Sequence, residues 1–498
     1  MRTRQQVGVL ATAVLAAAVM AVASGTVEAQ GPGGEPQLPR EGGLPLPLAS
    51  SGLMAGPNVL MGGVPAGQAT ADVLPVSLSD AIARGLKQNL GIVLGEQSVR
   101  SASGLRWQAL SGLLPTAGLR LSQTREEINL EEYGFPVAPG QPPIIGPFNV
   151  SALHVTANAP IFDYAAIQRA RAGGQAAMAA SHSFRDARDL VVFVTATLYL
   201  QAVTGASRID AAHVQLTTAQ VLYDRAVNQK QAGVVAGIEV LRAQVQLQSQ
   251  QQRVIFYENE FAKQKLALAR AVGIPLGQQV VLTDRVPYAA LDSLTLEESL
   301  AQAYASREDL QSAVALEQAA QAGRQAAIGE GLPSVNLTAD YGKSSSAWDT
   351  LHSTYSVAAS VRVPIFQGGR VRGRVLQADA QLKQQQAQVE DLRVRIEYDV
   401  RLALLDVQAA DQRVKVARSA ADLAGEQLTQ AQDRFIAGVS SNIEVVQAQE
   451  VVATSTENFL SALYAHNLAK ISLARAVGLS EERAKQFLGI FQGQQRED

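Results

Sequence analysis

The 498-residue chain contains no cysteine. That excludes, within it, a disulfide framework, a Cys-ligated zinc site, a thiol nucleophile and an acylated cysteine anchor. Aromatic residues are only 5% of a chain that is 47% hydrophobic. Ala, Val and Leu therefore supply the apolar surface, which suits long close-packed helices better than a compact mixed core. Neither sign of charge dominates, with 42 Lys and Arg against 45 Asp and Glu. No nucleic-acid partner is expected from that balance. The five histidines (His154, His182, His213, His352, His466) are scattered. None shows the spacing of a metal site. There is no G-x-S-x-G elbow and no convergent acid–base set, so neither an enzyme nor a cofactor is expected. The run Gly368-Gly369-Arg370-Val371-Arg372-Gly373 lacks the Lys-Ser/Thr of a phosphate loop and opens no βαβ unit.

Long hydrophobic runs are also missing after the N-terminus, where no segment reaches the ~18 uninterrupted apolar residues of a spanning helix. At the N-terminus itself, Arg2 and Arg4 precede an apolar run from Val7 to Ala23, and Val27-Glu28-Ala29 places small residues at a cleavage site. These are the three parts of a secretory signal peptide, assigned to 1–29. A membrane anchor is the other reading, disfavoured by the short, Ala-dominated run and the small-residue site behind it. Residues 30–75 are rich in Gly and Pro and poor in charge, which reads as a flexible linker. An exported chain without spanning helices crosses a membrane, if at all, as strands.

What the sequence does have is a duplication. Val76-Ser77-Leu78-Ser79-Asp80-Ala81-Ile82-Ala83 aligns with Leu294-Thr295-Leu296-Glu297-Glu298-Ser299-Leu300-Ala301. Leu114-Pro115-Thr116 aligns with Leu332-Pro333-Ser334, and Pro160-Ile161-Phe162 with Pro364-Ile365-Phe366. Ala232-Gly233-Val234 aligns with Ala437-Gly438-Val439, and Ala269-Arg270-Ala271-Val272-Gly273 with Ala474-Arg475-Ala476-Val477-Gly478. The first repeat is assigned to 76–290, the second to 291–480, and a C-terminal tail to 481–498. An insert in the first copy, around Glu131 to Phe148, is Gly/Pro-rich and reads as an exposed loop.

Within each copy two periods alternate. Apolar residues at Ile396, Val400, Ala403, Val407, Ala410, Val414, Ala417, Ala421, Ala424, Leu428, Ala431 and Phe435 step by four and three, a heptad seam. The first copy repeats it from Leu198 to Ala226. With no breaker from Asp163 to Gln231 or from Gln367 to Ile436, each helix extends roughly 100 Å. Gly233 and Gly438 then permit reversals, at tips near 231–237 and 436–442. Strand pairs are expected at about 115–125 and 149–160, and at about 333–342 and 354–364. Their apolar/polar alternation over about ten residues suits tilted membrane strands, or equally a half-buried sheet of a soluble domain. Four strands cannot close a membrane barrel, so membrane strands here require oligomerisation.

The duplicated Leu-Pro before each strand pair, the junction Pro364-Ile365-Phe366-Gln367-Gly368-Gly369, and the turn from Arg434 to Val445, in this order and twice, resemble the TolC-like outer membrane efflux proteins. The resemblance covers Val76 to about Gly478. It implies an α+β membrane protein: long antiparallel coiled-coil helices forming an α-helical barrel, continuous with an outer-membrane β-barrel of four strands per protomer and 12 per homotrimer. It further implies a passive exit duct of a tripartite efflux or type I secretion system. Such a duct stands in outer-membrane lipid with a periplasmic helical extension. It meets a periplasmic adaptor (membrane fusion) protein and, through it, an inner-membrane transporter.

By the same resemblance, Ala232, Gly233, Val234, Ala437, Gly438 and Val439 are adaptor-contact residues, and Glu444 with Glu239 marks the periplasmic gate. The relatives' second acidic gate position is Gln447 here, and Ser440 stands where some relatives carry a basic residue. Ala236 replaces the polar residue that Ser441 provides in the second copy. Pro160, Phe162, Pro364, Phe366, Gly368 and Gly369 form the strand–helix junctions. For each site a plain structural role is the competing reading: a Gly-capped hairpin for the tips, a solvated helix face for the acids. Two other classes compete for the whole. A secreted coiled-coil structural or adhesion protein has no reason to carry the repeated strand pair. A trimeric autotransporter places its strands at the extreme C-terminus, whereas here long helices follow them.

Overall fold

Two capping boxes begin the two halves of the molecule. Ser77 accepts a hydrogen bond from the Asp80 amide while Asp80 accepts one from the Ser77 amide, and Thr295 and Glu298 do the same. Such reciprocal pairs satisfy amides that the first helical turn leaves orphaned. In the computed structural model, residues 62–65, 67–132, 134, 142–284, 288–289, 295–437, 439–440 and 442–478 are described. All belong to the unit Ala55–Asp498. The expected signal peptide 1–29, residues 30–61 of the expected linker, and the expected tail 481–498 lie outside the described residues.

The elements run β1 (Leu74–Val76), α1 (Leu78–Gln88), α2 (Leu90–Ser111), β2 (Thr116–Asn129), β3 (Ile144–Phe162), α3 (Tyr164–Gln231), α4 (Gly237–Val272), β4 (Val280–Leu282), α5 (Leu296–Ser306), α6 (Glu308–Gly329), β5 (Ser334–Ser345), β6 (His352–Arg362), α7 (Arg370–Ile436) and α8 (Asn442–Ala476). The 68 residues of α3 and 67 of α7 are the two long helices. The seam of α7 is its packed face: Ile396, Val400, Ala403, Val407, Ala410, Val414, Ala424 and Ala431 are all buried. Small seam residues let the hairpin partners approach closely. At Gly205 of α3 an added Cβ would fall 2.1 Å from Gln264 Oε1 of α4.

Among the described residues the two largest apolar cores lie in the helical body. One joins Leu78, Ile82, Val191, Tyr199, Val203, Leu268 and Val272; the other joins Leu310, Val389, Ile396, Val400, Leu473 and Val477. Each fully buried Leu or Ile contributes about 1.5–3 kcal/mol. Part of α3 is long and apolar enough to cross a bilayer, but most of that stretch is buried in the packing. It is a core helix.

From Gly62 onward the segment expected as linker is instead tied down. Val64 N–H donates to Gln88 O, Leu74 N–H to Gln279 O, and β1 pairs in parallel with β4. Tyr199 locks this corner, its hydroxyl 3.0 Å from Val76 O and 2.8 Å from Asp284 Oδ2. Backbone pairing at 74–76 supplies what the polar, Gly-rich composition hides.

The strands β2-β3-β5-β6 form one antiparallel four-stranded sheet. Register aligns its faces. Leu119, Val155, Tyr341 and Tyr355 stand side by side, as do Ala117, Ala157, Ala339 and Val357. On the opposite face lie Thr156, Asp340 and Ser356, with Arg120 beside His154, whose ring sits 2.8 Å from Asp340 Oδ1. The expected strand limits were too short in the first copy. There, Ile144 to Phe148 of the expected loop are strand, with Ile144 opposite Asn129 and Phe148 opposite Glu126. Pro147 is tolerated because β3 meets β5 only from Ser151 on, leaving that stretch one neighbour.

Candidate functional site: hairpin tips and sheet base

The first tip is a Schellman turn. The amide of Gly233, at φ +73°, donates to Lys230 O, and that of Val234 donates to Gln229 O at 2.9 Å. This is the six-to-one and five-to-two pattern that a left-handed C′ residue permits. In the second tip Val439 N–H donates to Arg434 O at 3.0 Å, the same six-to-one bond. Gly438 lies outside the described residues. Ala232, Gly233 and Val234 are exposed at one tip, Ala437 and Val439 at the other. The two valines are 71% and 69% exposed. The structure brings the second tip against the first copy: Leu222 of α3 packs with Ala431, Val445 and Ala448, and the Arg225 guanidinium lies 5.8 Å from the Phe435 ring.

Both expected gate acids occupy the first turn of the returning helix, where carboxylates complement the helix dipole. Each has an arginine. Glu239 Oε1 is 2.7 Å from Arg242 Nη1, and Glu444 Oε1 is 3.4 Å from Arg434 Nε. Gln447, one turn beyond Glu444, is exposed, and the Ser440 hydroxyl is buried with no hydrogen-bond partner among the described residues. Glu239 and Glu444 are therefore each offset by a local cation. Arg434 stands in the motif that marks the turn, yet its pairing across the tip follows only from the hairpin geometry.

Further from the tip, contacts across the groove between the copies went unseen in the sequence. Arg208 of α3 grips Glu457 of α8, with Ser461 and Tyr257 completing the cluster. Glu450 accepts from Gln246 at 2.9 Å and from Arg253 at 3.4 Å, both on α4. No periodicity signals pairs separated by about two hundred residues. Higher up, Arg307 is bound by Asp309 and Asp399, at the bend where the first copy has Asn89.

At the other end of the long helices the two junctions differ. Pro160 and Phe162 remain within β3, and Asp163 caps α3 by accepting from the Ala166 amide at 2.9 Å. Pro364 and Phe366 lie beyond β6, and Gly369 caps α7 at φ +81° after Gly368 at φ +57°. Both glycines adopt the left-handed conformation that side chains resist.

Comparison with known proteins agrees with this architecture. The pyoverdine export outer membrane protein OpmQ of Pseudomonas putida is 23% identical over 65% of this chain and 70% of its own. The toluene efflux pump outer membrane protein TtgF of the same species is 22% identical over 80% and 83%. The solved outer membrane protein VceC of Vibrio cholerae superposes with a TM-score of 0.70 at 20% identity, covering 81% of this chain and 96% of that one. The family described as outer membrane efflux protein matches residues 82–274 and 299–479, the two halves built here on the same helix, strand-pair and hairpin plan, and the chain belongs to that family.

Proposed function

We propose that three copies of this chain assemble into the exit duct of a tripartite efflux system. In it, 12 strands close a barrel in the outer membrane and 12 helices wall a periplasmic tunnel. One observation carries the reading: the four-stranded sheet has an apolar face turned to its surroundings, while β2 and β6 are each unpaired along one edge. Free edges of this kind are unstable in lipid unless another chain pairs with them. The helices support the same assembly. Beyond its packed seam, α7 exposes Tyr398, Leu402, Leu405, Val416 and Leu423, and α4 exposes Ile238, Leu241, Val245, Ile255 and Leu266, both at heptad spacing. A neighbouring copy would cover them.

The cargo is small molecules, the class to which the pyoverdine and toluene of the relatives' names belong. Passage is passive. The tips, exposed at Ala232, Gly233, Val234, Ala437 and Val439, would dock a periplasmic adaptor joined to an inner-membrane transporter, which supplies the energy. Glu444, tethered by Arg434, would line the periplasmic constriction. Conductance in planar bilayers tests this. Purified protein should form channels, and Glu444→Gln should shift ion selectivity toward anions by freeing Arg434. Absence of any conductance would refute the duct.

A further inference from the structure

We propose that the base of the sheet is a collar for anionic phospholipid of the periplasmic leaflet. The inference rests on the reading of the sheet as a membrane wall. Ile365 and Phe366, 95% and 88% exposed, are the most exposed large apolar side chains among the described residues. Ile161 and Phe162 repeat the pair in the first copy, also exposed. Both pairs sit where the apolar sheet face gives way to helix.

Five arginines follow within about two helical turns, roughly 11 Å: Arg169 and Arg171 on α3, and Arg370, Arg372 and Arg374 on α7. Among the described residues two carboxylates answer them. Asp163 lies 3.8 Å from Arg169, and Glu330 lies 3.6 Å from Arg370 and also pairs with Arg374. Arg171 and Arg372 are exposed, and neither has an ion-pair partner among the described residues. Guanidinium groups without an ion-pair partner among the described residues, within about two helical turns of exposed aliphatic and aromatic side chains, match the two-layer chemistry of a lipid interface, acyl chain above and phosphate below. A guanidinium binds phosphate with paired donors, whereas a zwitterionic headgroup offers its phosphate beside a competing cation. The helices start on the periplasmic side, which selects that leaflet.

Native mass spectrometry of the detergent-extracted protein, offered equal amounts of phosphatidylglycerol and phosphatidylcholine, tests the collar. Phosphatidylglycerol should be retained roughly tenfold or more over phosphatidylcholine. Arg171→Gln with Arg372→Gln should bring the ratio toward one, with oligomer mass unchanged, and the two Arg→Lys substitutions should keep most of it. Equal retention by the wild type, or a preference that survives the Gln substitutions, would overturn the proposal. So would lipopolysaccharide competing as well as phosphatidylglycerol, which would place the site in the other leaflet. Ile365→Ser with Phe366→Ser should lower retention of both lipids alike; dissociation of the oligomer instead would assign that pair to a subunit contact and overturn its role here. A wild type that stays soluble and dispersed without detergent would refute the membrane wall itself, a separate failure.

Discussion

Arg208 Nε lies 3.0 Å from each carboxylate oxygen of Glu457, so that the first copy's long helix holds the second copy's returning helix with a forked ion pair. Both side chains are largely shielded, and Ser461 and Tyr257 fill the remaining hydrogen-bonding positions. Such pairs fix relative placement, and removing one partner leaves the other uncompensated. Glu457→Gln should therefore loosen the two hairpins against each other and cost about 1–2 kcal/mol. A lower denaturation midpoint together with higher resting conductance would be the signature. Unchanged values in both would show that the pair is incidental.

At the first tip, Gly233 has open space around it, nothing lying within 4 Å of an added Cβ. Its constraint is conformational, through φ +73° and the amide bond to Lys230 O. Gly233→Ala should cost about 1 kcal/mol and leave export near normal. Gly233→Pro forbids that φ and removes the donor, so export should fall while assembly persists. Gly438→Pro is expected to behave alike. Normal export by both proline variants would contradict the assignment of the tips to docking.

The heptad seams and the reversal at Gly233 were legible because each is written in contiguous sequence, with periods and punctuation that local geometry imposes; the two capping boxes, equally local, were not read from it. Ile396, Val400 and Ala403 are buried where a step of four and three puts them. What escaped was set by tertiary context. The three-residue β1 carries Pro75 and no alternation, and only its parallel pairing with Val280–Leu282 makes it a strand. Pro143, Gly146 and Pro147 read as loop, yet β3 begins at Ile144 because one free side removes the penalty. The expected gate acid Glu444 reads as bare in the sequence because Arg434 reaches it only across the closed hairpin, whereas Arg242 sits one turn beyond Glu239 on the same helix, a spacing that sequence does show.

Asp189 offers a pH test in the helical body. Burial, the dominant cause, pushes its carboxyl up to about 6, against the opposing pull of Arg475. A carboxyl with a raised folded-state pKa favours folding fully below its unfolded value near 4 and loses that contribution as pH rises through about 6. Asp189→Asn removes the charge that burial penalises. The variant should match the wild type at pH 4 and be more stable at pH 7.5, by at most about 2 kcal/mol once solvent screening is allowed for. Denaturation midpoints measured at both pH values check it. Equal or lower stability at pH 7.5 would show that attraction to Arg475 outweighs burial.

The most direct measurement is the native mass of the protein extracted from outer membranes, compared in detergent and in buffer alone. An assembly that closes the open sheet edges of β2 and β6 gives a particle of three protomers that stays dispersed only with detergent. A monomer or elongated dimer, soluble without detergent, would contradict the barrel and leave the apolar face of Leu119, Val155, Tyr341 and Tyr355 without lipid to meet.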